Sequence, residues 1–167
     1  MPNKETFQIP PIARFIHRHL ASATTSVDPF ARNADLADYT NDLNPNTTAD
    51  HHMQAVDFLQ MLNVRGVRCD LVLFDPPYSP RQIKECYKAA GIETDRQATQ
   101  ESKLASQVRR ELSQLLMVGG VVLSFGWNSN EMHSGYCLEE LLLVNHGGGH
   151  NDTICMAERK VQGALFD

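Results

Sequence analysis

The sequence predicts an α/β fold with a mostly parallel sheet and an antiparallel hairpin at its C-terminal end. Three observations carry that prediction. Leu71-Val72-Leu73-Phe74 and Val121-Val122-Leu123-Ser124-Phe125 are apolar runs of the kind seen in strands buried on both faces. Segments with helical spacing alternate with such strands. The C-terminal part reads as strand, glycine-rich turn and strand, which adds an antiparallel edge.

The elements follow in order. Pro11 to Leu20 predicts a helix, with Ile12, Phe15, Ile16 and Leu20 on one face and Pro10-Pro11 at its entry. A short strand leads into Val27-Asp28-Pro29, and Asp38 to Asp42 is a second short extended piece closed by Asn44-Pro45. Met53 to Leu62 predicts a short helix that buries Ala55, Phe58, Leu59 and Leu62 and turns Asp57 to solvent. Helices are expected from Pro80 to Ala90, stopped by Gly91, and from Ser102 to Leu116, stopped by Gly119-Gly120. Leu138–Val144 and Thr153–Glu158 form the closing strands around His146-Gly147-Gly148-Gly149-His150.

Composition narrows the class. The chain has 167 residues, 42% hydrophobic and 21% charged, which fits one globular domain over 1–167 and excludes a disordered, collagenous or coiled-coil chain. Its net charge of −5 means that contact with nucleic acid requires a local basic patch. Cys69, Cys86, Cys137 and Cys155 lie far apart with no CxxC, and Met1 to Glu5 shows no signal-peptide pattern. Reduced thiols in a cytoplasm are therefore expected. No apolar run is long enough to span a membrane.

Asp75-Pro76-Pro77-Tyr78 is the sharpest chemical signal, because ligands in such sheets bind at the carboxyl ends of strands. The prolines stiffen the turn. The Asp75 carboxylate and the Pro76 carbonyl are both acceptors. Held side by side, they can grip both protons of an exocyclic amine, aim its lone pair at an electrophile and stabilise the positive charge that develops on nitrogen. Tyr78 offers a face on which a planar base can stack. Pro77 completes the rigid turn.

With these residues the chain resembles the amino-methyltransferases that methylate adenine N6 or cytosine N4 in nucleic acid, and within them the short phage-encoded, adenine-specific DNA methyltransferases. The resemblance implies a Rossmann-like fold, S-adenosylmethionine (SAM) as cofactor, and a base flipped out of its duplex. It carries the family's catalytic tetrapeptide onto Asp75, Pro76, Pro77 and Tyr78. It carries cofactor contacts onto Phe7, Asp28, Phe30, Ala31, Asn33, Asp42, Gln54 and Asp75. Asp42 takes the place of the carboxylate that accepts the ribose hydroxyls, and Gln54 stands where an Asp commonly meets the cofactor adenine. Arg32 and Ala34 stand where the family's cofactor loop has glycines. That departure bears directly on cofactor pose and affinity.

Other candidates are less specific. Arg81, Lys84 and Lys88 share a helix face beside the tetrapeptide, and Lys103, Arg109 and Arg110 follow; such residues can hold phosphates. Phe125 and Trp127 are candidates for the target-base pocket, with core packing an equal explanation for Phe125. His133, Cys137, His146, His150 and Cys155 match no common zinc spacing, and no metal is expected. The expectation is a SAM-dependent amino-methyltransferase acting on DNA adenine N6, with no separate target-recognition domain and a homodimer possible. Methylation of RNA or a free nucleotide, or a degenerate binding module of the same fold, are the alternatives.

Overall fold

The computed structural model describes residues 6–77, 79–92, 101–127, 132, 134–147 and 151–162, and the side chains of 101–103 are outside it. The described elements are α1 (Pro10–Leu20), β1 (Ser26–Asp28), β2 (Tyr39–Thr40), α2 (Ala55–Val64), β3 (Cys69–Phe74), α3 (Pro80–Ala89), α4 (Glu101–Leu115), β4 (Leu116–Gly126), β5 (Tyr136–Val144) and β6 (Thr153–Lys160). The sheet runs β2-β1-β3-β4-β6-β5. The first four strands are parallel, and β6 pairs antiparallel with both β4 and β5. A one-residue parallel bridge between Asn41 and His51 continues the sheet beyond β2.

The apolar runs behave as a doubly covered sheet requires. Val72 and Phe74 of β3 pack with Phe58, Leu62, Val108 and Leu112 of α2 and α4 on one face. Leu71 and Leu73 pack with Ile12, Phe15 and Ile16 of α1 on the other. Pro10 and Pro11 occupy the first turn of α1, where a missing N–H leaves no helical bond unmade. Ser79 caps α3 by accepting from the Gln82 amide at 3.2 Å.

One boundary differs from the sequence expectation. Gly119-Gly120 do not stop the helix; α4 ends at Leu115 and the chain enters β4 at once. The stop is supplied from outside the helix. Buried Lys160 donates through Nζ to the carbonyls of Ser113 and Leu116, satisfying carbonyls that a helix end leaves unpaired. The glycines lie in a bulged stretch, because Cys69 pairs with Leu116 but Leu71 pairs with Val121. Gly119 takes a φ of +88° there, and its carbonyl accepts from the Arg159 guanidinium.

The strand order places β1 between β2 and β3 although β2 follows it in the chain. The connections from β1 and β3 therefore leave in opposite directions, and a crevice opens at their carboxyl ends. Asp28 and Asp75 stand on its two sides, the first closing β1 and the second directly after β3.

Candidate functional site

The site is assembled around Asn41, which follows β2 and is almost fully buried. Its Nδ2 donates to the carbonyls of Pro29 and Met53, both at 3.1 Å, and its Oδ1 accepts from the Met53 amide at 3.1 Å. Its backbone N–H donates to the Asp28 carbonyl and its carbonyl accepts from the Ala31 amide, both at 2.9 Å. One side chain thus fixes the loop after β1, the end of β2 and the entry to α2. Sequence reasoning gave Asn41 no role and looked instead to its neighbour Asp42.

The loop after β1 turns sharply, with the Ala34 amide bonded to the Ala31 carbonyl at 2.8 Å. Arg32 takes a φ of +52°, the left-handed region, and is the one non-glycine residue among those described with a positive φ. Position 32 thus has a backbone conformation that favours glycine, and an arginine bears the strain. Ala34 needs no such conformation.

Two cavities meet at this loop, and Phe30 borders both. The larger, about 550 Å³, is walled by Phe7, the 30–36 loop and Asp75, and it falls in the roughly 300–1,000 Å³ range of small-ligand sites. The narrower, about 50 Å³, lies between Asp42, Gln54 and Pro77 and the helix α3 residues Ile83, Cys86 and Tyr87. The Asp75-Pro76-Pro77 turn stands between them, with Asp75 on the larger cavity and Pro77 on the narrower.

Charge in this corner is unbalanced. Asp28 is buried, accepts from the Phe30 amide through Oδ1 at 2.9 Å, and has no hydrogen-bond partner for Oδ2. Burial pushes its pKa from the ordinary 3.8 up to about 8, the Phe30 N–H opposes that shift, and the nearby charges of Asp75 and Asp42 add to it.

The comparisons bear on this arrangement. No family model matches the sequence, and no curated protein does. Solved structures do match. TrmN from Thermus thermophilus aligns with a TM-score of 0.54 at 15% identity, over 91% of this chain and 49% of that one. NSun6 from Pyrococcus horikoshii with SFG aligns with a TM-score of 0.55 at 14% identity, over 97% of this chain and 56% of that one. The N-methyltransferase NodS from Bradyrhizobium japonicum WM9 in complex with S-adenosyl-L-homocysteine aligns with a TM-score of 0.53 at 9% identity, over 96% and 91%. The fold is that of SAM-dependent methyltransferases. The chain spans about half the length of the TrmN chain it matches.

Of the candidate cofactor residues, Asp28 lies buried and lines neither cavity, and the others border one of the two. Phe7, Phe30, Ala31, Asn33 and Asp75 border the larger cavity, and Asp42 and Gln54 the narrower. Several are already engaged. Phe7 packs against Phe125 with ring centroids 4.9 Å apart and the rings tilted by 55°. Asn33 accepts from the Thr48 amide at 3.2 Å. Asp42 uses Oδ1 for the Asn44 amide at 2.8 Å. Gln54 uses its carbonyl for the Tyr87 hydroxyl at 3.0 Å, so an approaching amine has to compete with Tyr87.

The candidate substrate residues are less gathered. Arg81 and Lys84 are exposed on α3, and Arg81 is paired with Glu85 at 2.8 Å. Arg109 instead lies half-buried with its guanidinium over the Phe74 ring, so the packing of α4 takes it out of a free basic face; Arg110 is exposed and pairs with Glu111 at 3.0 Å. Trp127 follows β4, 37% exposed, and borders neither cavity. Phe125 is core, between Phe7 and Phe15. His146 bonds the Thr153 hydroxyl at 2.7 Å. Tyr78, His133, His150 and the Lys103 side chain lie outside the described residues.

Two outcomes follow. Asn41→Ala leaves the Pro29 and Met53 carbonyls and the Met53 amide without partners, at a cost on the order of 3 kcal/mol, read as a lowered urea midpoint. For Asp28, a pKa raised in the folded state means that the native protein holds a proton the unfolded chain has released. Stability therefore declines as pH rises from about 4 to about 8 and levels off above. Asp28→Asn removes that slope: thermal midpoints of variant and wild type differ little at pH 4, and the variant melts higher at pH 9.

Proposed function

We propose that the protein is a SAM-dependent methyltransferase that methylates an exocyclic ring amine, with adenine N6 of DNA as the leading substrate. The observation that carries the reading is the placement of Asp75-Pro76-Pro77. It sits at the mouth of β3, between the larger cavity and the narrower one, in a methyltransferase fold.

The residues present fit the cofactor. Phe30 supplies an apolar ring shared by the cavities, Asp75 a carboxylate on the larger cavity, and Asp42 a carboxylate on the narrower one whose Oδ2 has no partner among the described residues. Bound SAM supplies an electrophilic methyl carbon on a sulfonium. The chain's part is to hold the nucleophile. The Asp75 carboxylate and Pro76 carbonyl accept the two amine protons, which turns the nitrogen lone pair away from them. As nitrogen becomes cationic those same acceptors strengthen their hold, and Asp75 is placed to take up the proton that is shed. A base on a polymer has to leave its stack to arrive here.

The test incubates the protein with methyl-labelled SAM and separate pools of DNA, RNA and free nucleotides. Label in DNA as N6-methyladenine is expected. Asp75→Ala is expected to lose roughly 10²–10³-fold in transfer rate while SAM binding stays measurable. Full activity in that variant contradicts the role of Asp75, and label confined to RNA or nucleotides moves the substrate.

A further inference from the structure

The resemblance gives position 32 to a glycine, and the backbone there still takes the conformation that favours glycine. A left-handed arginine costs about 1–2 kcal/mol, and a cost held at a ligand cavity is a reason to ask what the side chain does. Arg32 is exposed, borders the larger cavity, and makes no hydrogen bond or ion pair with any described residue. Around it the charge is of the other sign. Asp35 and Asp75 border the same cavity.

That distribution discriminates among ligands. A purely anionic group such as a phosphate faces Asp35 and Asp75. A purely cationic one faces Arg32. A zwitterion matches both, with its ammonium toward the aspartates and its carboxylate toward the guanidinium. The amino-acid end of SAM is such a group. Resting on the proposed function, we infer that Arg32 binds the α-carboxylate of the cofactor's amino-acid moiety, replacing a backbone approach through glycine by a charged side chain on the same backbone. Arg32 then selects an adenosyl ligand that retains its amino acid over one that has lost its carboxylate.

Titration calorimetry on the whole chain tests this, with SAM and its decarboxylated counterpart as ligands and wild type, Arg32→Gly and Arg32→Lys as proteins. Charge-assisted bonds of this kind set the scale, so wild type is expected to prefer SAM by roughly ten- to a hundred-fold. Arg32→Gly is expected to cut the preference to within about threefold, mostly by weakening SAM, and Arg32→Lys to keep part of it. The glycine variant is also expected to melt about 2–4 °C above wild type without ligand, which shows that its fold is intact. Equal binding of both ligands by wild type, or a preference that survives Arg32→Gly, overturns the role of Arg32 and leaves the cofactor reading standing. Failure of wild type to bind either ligand overturns both.

Discussion

The buried amide of Asn41 is the constraint on which the site depends. Parallel strands deliver their carboxyl ends to one rim, but the loops that leave them have no sheet partner to fix their shape. Asn41 supplies that partner, bonding the loop after β1 through Pro29 and Ala31 and the entry to α2 through Met53. Every donor and acceptor of the side chain that these bonds use is satisfied by main chain rather than by another side chain. These bonds brace the loop, and the left-handed residue within it is held by its surroundings rather than by its own preference.

Two costs are concentrated in that loop when no ligand is present. Asp28 is buried with one oxygen unpartnered, and Arg32 sits in a conformation that glycine prefers. Neither belongs to the apolar clusters on the two faces of the sheet. Under the proposed function the cost at Arg32 has an explanation. A ligand carboxylate on its guanidinium returns stability spent in the empty protein as affinity. The acceptors of the Asp75-Pro76-Pro77 turn then need only receive a substrate amine beside a cofactor already fixed.

Much of the fold was legible because strongly apolar runs have few alternatives. The β3 run and the Val121–Phe125 part of β4 are buried on both faces, and the helix faces read from spacing at Ile12, Phe15, Phe58 and Leu62 are the ones that pack. The glycines of β4 were misleading, since Gly-Gly after a helical pattern signals a stop. Here a lysine more than forty residues away ends the helix instead, and no local signal announces it. The sequence singled out Asp75-Pro76-Pro77 because the motif carries several unusual residues together, and that turn lies between the two cavities. The sequence did not announce Asn41, whose role depends on three segments meeting, nor the placement of Arg109 over Phe74 and the pairing of Arg110 with Glu111.

The central claim is that the crevice between the ends of β1 and β3 receives an adenosyl ligand with its sulfur beside Asp75. A crystal structure of the chain grown with S-adenosyl-L-homocysteine tests that most directly. Ligand density along the 30–36 loop, with the sulfur facing the Asp75-Pro76-Pro77 turn, is the result predicted. Density lodged elsewhere, or an empty crevice at saturating ligand, contradicts it.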